Sequence, residues 1–185
     1  YGITLGSPGE RVDTLREFIE IARQLWSGEP VTYQGKYLQV KEAVCQPRPV
    51  SGAVPVWIGA LLPRMLRLTG RVADGWMKNL GWPETVEEYR ALSLLVDRGA
   101  SLAGRDPTTI RRALNGSAAL VVSGAPASAP ARAGAQRGVS GTPEEVVAQL
   151  RALHDAGADT FNLSFPDERT MEAFALEVMP AFKQP

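Results

Sequence analysis

The sequence has 185 residues, of which 44% are hydrophobic and 22% are charged, as is usual for a globular protein with one sizeable core. Its 20 basic and 20 acidic residues give zero net charge and form no basic stripe, which argues against nucleic acid binding. No apolar run approaches the roughly 20 residues that span a membrane. No signal peptide pattern opens the chain, and the one cysteine, Cys45, excludes an intrachain disulfide. We therefore expect a cytoplasmic protein.

The N-terminal segment predicts a helix followed by a hairpin. Ser7 and Glu10 have the spacing of a capping box, which marks the start of a helix. Apolar residues then recur at helical spacing, and this pattern predicts a helix over residues 8–27. Strand-forming residues on both sides of a glycine indicate a short hairpin over residues 31–40.

Four strand–helix units follow, over residues 54–182. Short apolar runs predict strands near residues 54–60, 73–78, 117–122 and 159–164. An amphipathic helical pattern follows each of them, and a second capping box, Thr142 to Glu145, opens the third helix. This alternation indicates right-handed βαβ units and a parallel sheet in a single domain, 1–185. Because Ser123 to Gly141 is rich in Ala, Pro, Gly and Ser, we expect it to be the least ordered internal segment.

Three stretches of the sequence resemble a known family. VPVWIGALLPRMLRLTGRVADGW, residues 54–76, resembles the fifth strand, the next helix and the sixth strand of luciferase-like flavin- or deazaflavin-dependent oxidoreductases. Residues 10–40 are similar to that family's fourth helix and hairpin insertion, and residues 138–163 to its seventh helix and eighth strand. These enzymes are α/β proteins with (β/α)8 barrels of the TIM type. The resemblance therefore implies the C-terminal half of such a barrel, with the first four strands upstream of Tyr1.

The resemblance also implies a cofactor site. The family binds FMN or the deazaflavin coenzyme F420 at the C-terminal mouth of the barrel, where barrel enzymes place their active sites. The cofactor phosphate rests partly on backbone amides after the fifth strand, where a helix N-terminus favours an anion. In this sequence the matching positions are Gly59, Ala60, Leu61, Leu62 and Arg64. The two leucines depart from the small residues usual in the family and narrow the approach to these amides.

A substrate contact is implied at the end of the sixth strand. Because Asp74-Gly75-Trp76 is similar to the family's signature there, Trp76, Lys78 and Asn79 are expected to lie at the mouth and face a small organic substrate. The alternative is that Trp76 packs in the core and Lys78 is solvated.

Other candidate residues in the sequence have weaker functional signals. The single histidine, His154, lies near the end of a helix that a barrel would place in its outer ring. Cys45 has no basic partner nearby in the sequence that would activate a thiol. No metal-ligand cluster and no Gly-rich phosphate loop appear. The catalytic residues are expected upstream of Tyr1, so none is assigned.

Three functional hypotheses remain open from the sequence. The first is part of a flavin- or deazaflavin-dependent oxidoreductase or monooxygenase that transfers hydride or activates oxygen. The second is a non-catalytic half-barrel remnant that binds flavin weakly or not at all. The third is an unrelated βα-repeat barrel. Because a half-barrel leaves sheet edges and an interior face uncovered, we also expect a homodimer.

Overall fold

A computed structural model describes residues 2, 5–78, 82–121 and 138–182. In chain order the elements are α1 (Pro8–Leu25), β1 (Val31–Gln34), β2 (Gln39–Ala43), β3 (Trp57–Ala60), α2 (Pro63–Val72), β4 (Gly75–Lys78), α3 (Val86–Leu102), β5 (Arg111–Leu120), β6 (Val139–Gly141), α4 (Pro143–Asp155), β7 (Thr160–Ser164) and α5 (Glu168–Ala173). After α5 the chain continues through a π-helical turn (Phe174–Val178) and a 3-10 turn (Met179–Phe182). Within the described ranges, no helix combines the length and hydrophobicity needed to cross a bilayer.

Five strands form one parallel sheet. β3, β4, β5 and β6 are neighbours in that order, and β7 pairs with β5. All four of these pairings are parallel. β1 and β2 form a separate antiparallel hairpin. Helices α2, α3, α4 and α5 follow strands β3, β4, β6 and β7, so the described chain has the βα repeats and the parallel sheet expected of the predicted fold class, a partial (β/α)8 barrel.

The helices cover one face of the parallel sheet, the outer face. Ile58, Trp76 and Leu114 project from adjacent strands into a core that also holds Leu66 of α2 and Tyr89 of α3. Because successive strand residues point to opposite faces, the alternate residues of these strands form an inner face on the other side. It carries Trp57, Gly59, Gly75, Met77, Arg111, Ala113, Asn115, Ser117, Thr160, Asn162 and Ser164.

Two glycines let α2 and α3 pack very closely. A Cβ atom added at Gly70 would overlap the carbonyl oxygen of Val96 and lie 2.6 Å from the backbone nitrogen of Ala100. A Cβ atom added at Gly99 would overlap the carbonyl oxygen of Arg67. The backbones of the two helices are therefore in direct contact, which fixes the two neighbouring strand–helix units against each other.

The hairpin is held to α1 by a buried carboxylate. Only 1% of Glu17 is exposed, and its side chain accepts hydrogen bonds of 2.8–2.9 Å from the backbone N–H groups of Lys36, Tyr37 and Leu38. Burial raises the pKa of Glu17, but these three bonds and nearby Arg16 together leave it below its usual value. Glu17 thus replaces the water that would otherwise solvate the turn.

Three predicted boundaries are corrected by the structure. The third strand of the four units is Arg111–Leu120 rather than 117–122, because polar residues occupy its first half. The helix that the sequence predicts to start at Pro83 is α3, which begins after Thr85, whose hydroxyl accepts the N–H of Glu88 at 3.0 Å. Val139–Gly141, expected to be poorly ordered, forms the additional strand β6. Most of that segment, 122–137, lies outside the described residues.

Candidate functional site at the C-terminal edge of the sheet

The connection from β3 to α2 lies where parallel strands end together. Gly59 is exposed on the inner face, and Ala60 closes the strand with its carbonyl oxygen bonded to the indole N–H of Trp76 at 3.0 Å. Leu61 and Leu62 then bring the chain to Pro63, the first residue of α2. This bend is the place at which barrel enzymes commonly hold ligands.

The N-terminus of α2 lacks a side-chain cap. Leu62 occupies the capping position, is 69% exposed and makes no capping hydrogen bond. The first backbone N–H of the helix that donates to a carbonyl oxygen one turn earlier is that of Leu66, which bonds to the Leu62 carbonyl at 3.0 Å. The amides of Arg64 and Met65 are thus left without an acceptor among the described residues, and an anion would fit them.

The other long helices differ from α2 in this respect. Ser7 caps α1, Thr85 caps α3 and Thr142 caps α4, each through a hydroxyl that accepts a first-turn N–H. The capping boxes predicted at Ser7 and Thr142 are both present. Because capping side chains would occupy the amides, the exposed leucine at the start of α2 leaves this terminus open to a ligand.

Arg64 is directed away from the bend. Its guanidinium pairs with Asp13 of α1 at 3.0 Å, and the space beside Gly9 is filled by its Nη1 atom. The side chain of Arg64 thus joins α2 to the start of α1. Any anion at this terminus would be held mainly by backbone amides.

Trp76 and Lys78 lie on the outer face. Trp76 is fully buried, with its ring stacked on that of Tyr89 at a centroid distance of 5.5 Å. Lys78 is 4% exposed, and its Nζ lies 3.5 Å from Glu88 of α3. Both side chains point towards α3. Trp76 and Lys78 are therefore not brought together on the inner face as substrate contacts. Asn79 lies outside the described residues.

An unpaired phenol accompanies Trp76. The hydroxyl of Tyr89 is buried and has no hydrogen-bond partner in the described structure. Burial raises the pKa of Tyr89 far above its usual value. The phenol is therefore neutral, and this residue serves as an apolar surface for the indole.

The inner face carries polar residues that the sequence did not single out. The amide of Asn162 donates to Oδ1 of Asn115 at 3.0 Å, and Nδ2 of Asn115 donates to the sulfur of Met77 at 2.8 Å. Ser164 donates to the carbonyl of Gly116 at 3.3 Å. Their only signal in the sequence is their position at alternate sites within strands, which becomes informative once the strand bounds and faces are known.

His154 lies near the start of β7, at the opposite end of the strands from this edge. Nδ1 of His154 lies 3.0 Å from the carbonyl oxygen of Ala158, in the turn after α4 that leads to the start of β7. Cys45 is a free, half-buried thiol beyond the hairpin.

Comparison with known proteins decides the family. The sequence profile described as luciferase-like monooxygenase matches residues 1–133, well over half of the chain. The chain belongs to the luciferase-like monooxygenase family. This assignment agrees with the partial barrel and with the resemblance seen in the sequence.

Curated relatives match part of the chain. The F420-dependent glucose-6-phosphate dehydrogenase of Microbacterium testaceum is 43% identical over 96 residues, which are 52% of this chain and 28% of that protein. The F420-dependent hydroxymycolic acid dehydrogenase of Mycobacterium tuberculosis is 36% identical over 107 residues, 58% of this chain and 28% of that protein. The matched part of the chain thus covers less than a third of each of these curated relatives.

A solved structure supports the fold over nearly the whole chain. The F420-dependent tetrahydromethanopterin reductase of Methanopyrus kandleri superposes with a TM-score of 0.76 at 24% identity. The match covers 93% of this chain and 64% of the reductase chain. The luciferase-like barrel is therefore present here in part, with its strands in parallel order.

Proposed function

We propose that this chain forms the phosphate-binding side of an F420- or FMN-dependent oxidoreductase that acts on a small organic molecule. The observation that carries the proposal is the uncapped N-terminus of α2 at the C-terminal edge of the sheet. Membership of the luciferase-like family supports the cofactor class. F420 is the first candidate because the two similar dehydrogenases are F420-dependent, and FMN is the second.

The proposed binding residues are Gly59, Ala60, Leu61, Leu62 and Arg64, acting mainly through the backbone. The amides of Arg64 and Met65 would donate to phosphate oxygens, and the positive end of the helix dipole would add attraction. Gly59 has no side chain to obstruct the inner side of the bend. When bound, the cofactor supplies hydride transfer or oxygen activation, and this part of the chain fixes its position.

We propose a different role for two of the three residues that the sequence predicted as substrate contacts. Trp76 and Lys78 would act by fixing the end of β4, since both side chains pack towards α3. Asn79 follows directly after β4 and stays a proposed contact. We also propose that the chain corresponds to the C-terminal half of the family's barrel, with catalytic residues supplied by the other half.

Replacing Leu62 tests the phosphate site. Leu62→Asp would cap the open amides with a carboxylate, which stabilises the helix by about 1 kcal/mol and repels phosphate. If one charge-assisted hydrogen bond is lost, FMN affinity should fall roughly ten- to a hundredfold. Riboflavin, which lacks the phosphate, should bind with unchanged affinity. Fluorescence titration with both ligands measures the difference.

Leu62→Asn is the matched control for this variant. Asparagine also caps a helix but carries no charge, so it should weaken FMN binding less than aspartate does. Thermal unfolding of both variants should show folded proteins at least as stable as the parent. An unchanged FMN affinity in Leu62→Asp would place the phosphate elsewhere.

A specific observation favours the second candidate function, a non-catalytic half-barrel that dimerises. In the described sheet β3, β6 and β7 each pair with a single strand, and the inner-face residue Trp57 is 38% exposed. Unpaired edges and an uncovered face promote association. We therefore expect a dimer in sedimentation velocity at micromolar concentration. A stable monomer there, together with tight cofactor binding, would argue against this candidate.

A further inference from the structure

We infer that the paired carboxamides of Asn115 and Asn162 form a subsite for a neutral, oxygen-bearing group of the substrate, an alcohol or a ketone. This inference rests on the proposed function, because it names the substrate class of the same barrel mouth. It goes further by assigning two residues that neither the sequence pattern nor the family relationship singled out.

The positions of the two asparagines support this subsite. Lys78, the last residue of β4, pairs with Leu114 of β5, so Asn115 lies one residue beyond the end of β4. Asn115 pairs with Asn162 of β7. Both side chains project from the inner face at the middle of their strands. Asn115 lies just beyond the level at which β3 and β4 end, on the side of the sheet where barrel enzymes place residues that contact substrate. An open cavity of about 500 Å³ is lined by Asn115, Gly116, Phe161, Asn162, Leu163 and Ser164.

Hydrogen bonds orient the two carboxamides. Asn115 donates to the sulfur of Met77, which leaves its Oδ1 free to accept from Asn162. The amide of Asn162 is oriented in turn by that donation. Asn162 is exposed, and its Oδ1 and second N–H have no hydrogen-bond partner among the described residues, so an acceptor lies beside a donor there. An alcohol can use both groups, and a ketone can use the N–H.

The charges near the two carboxamides favour a neutral ligand. Among the inner-face residues of the described strands, Arg111 is the charged one. It lies four residues before Asn115, about 13 Å along the strand, and is paired with Asp159 at 3.0 Å. An anionic group beside Asn162 would be repelled by the carboxamide oxygen, and the inner face of the described strands offers no nearby cation to offset that repulsion. The subsite therefore favours neutral groups over carboxylate or phosphate.

Three matched probes test this subsite on the whole chain. Cyclohexanone, cyclohexanol and cyclohexanecarboxylate share one ring and differ in the polar group. The sequence contains three asparagines, Asn79, Asn115 and Asn162, so their side-chain amide signals can be assigned in 15N-labelled protein. We expect the ketone and the alcohol to shift the signals of Asn115 and Asn162, and the carboxylate to leave them in place.

Two substitutions separate binding from folding. Asn162→Leu keeps the shape but removes both polar groups, and should weaken binding of the ketone and the alcohol roughly tenfold or more. Thr160→Val makes a similar change two residues earlier on the same face and should leave binding unchanged. Equal binding of the carboxylate, no shift with any probe, or unchanged affinity in Asn162→Leu would overturn the inference.

The same samples keep the two proposals apart. F420 and FMN binding is followed separately by fluorescence, and Asn162→Leu should leave it unchanged. If the wild-type protein binds neither cofactor but still binds the neutral probes at Asn162, the cofactor proposal fails and the subsite stands. If cofactor binds and the probes do not, the subsite fails alone.

Discussion

Gly70→Ala is expected to destabilise the protein by about 1–3 kcal/mol, the usual cost of overpacking a close-packed contact. In an exposed helix the same change would be favourable by up to about 1 kcal/mol. Here the new methyl group would overlap the carbonyl oxygen of Val96, and a backbone atom cannot turn aside as a side chain does. α2 and α3 would have to separate. Urea unfolding at equilibrium measures the loss.

Gly9→Ala provides the control for this prediction. Gly9 also lies in a helix, α1, but a Cβ atom there would meet the flexible end of Arg64, 2.8 Å from its Nη1 atom. The guanidinium can move, so this variant should be as stable as the parent or slightly more stable. Equal stability changes in Gly70→Ala and Gly9→Ala would mean that α2 and α3 are not in backbone contact.

Trp76→Ala is expected to cost about 3–5 kcal/mol, the range for removing a large buried aromatic side chain. The indole is fully buried, stacks on Tyr89 and donates to the carbonyl of Ala60. Its removal would leave a cavity between the sheet and α3 and an unpaired carbonyl at the end of β3. Chemical unfolding measures the stability, and cofactor titration measures the effect on the site.

Trp57→Ala is the control that shows whether Trp76 acts in packing or in substrate binding. Trp57 lies on the inner face of the neighbouring strand, with its ring against Gly75, and is partly exposed. Its removal should cost clearly less stability than the removal of Trp76. If Trp76→Ala instead kept full stability and weakened only substrate binding, the indole would have to face the barrel interior.

Local signals made the helices predictable. The capping boxes at Ser7 and Thr142 depend on residues three positions apart, and both form as the sequence indicates. The short apolar strands β3 and β4 also lie within their predicted ranges. Their outer-face residues pack into a hydrophobic core whichever elements cover the other side of the sheet. These features depend little on the rest of the fold.

β5 shows why other parts were missed. Its first half contains Arg111, Arg112 and Asn115, which disfavour a strand when judged by hydrophobicity alone. Arg112 is tolerated there because it pairs with Asp97 of α3, a contact between the strand and the helix that precedes it. Asn115 is tolerated because it faces the barrel interior and bonds to Asn162. Both causes depend on the tertiary fold.

The candidate site could also be predicted only in part from the sequence. The bend after β3 was identified from family resemblance, and the structure adds that its helix is uncapped at Leu62. The orientation of Trp76 and Lys78 could not be read from the sequence, because the Asp74-Gly75-Trp76 pattern does not say which face each side chain takes. The inner-face carboxamides required the strand register as well.

Fluorescence titration of the protein with F420, FMN and riboflavin tests the central claim most directly. We expect saturable binding of F420 or FMN. Riboflavin should bind at least roughly tenfold more weakly than FMN because it lacks the phosphate. Binding of riboflavin as tight as that of FMN would contradict the phosphate site at α2. No saturable binding of either F420 or FMN would contradict the proposed function itself.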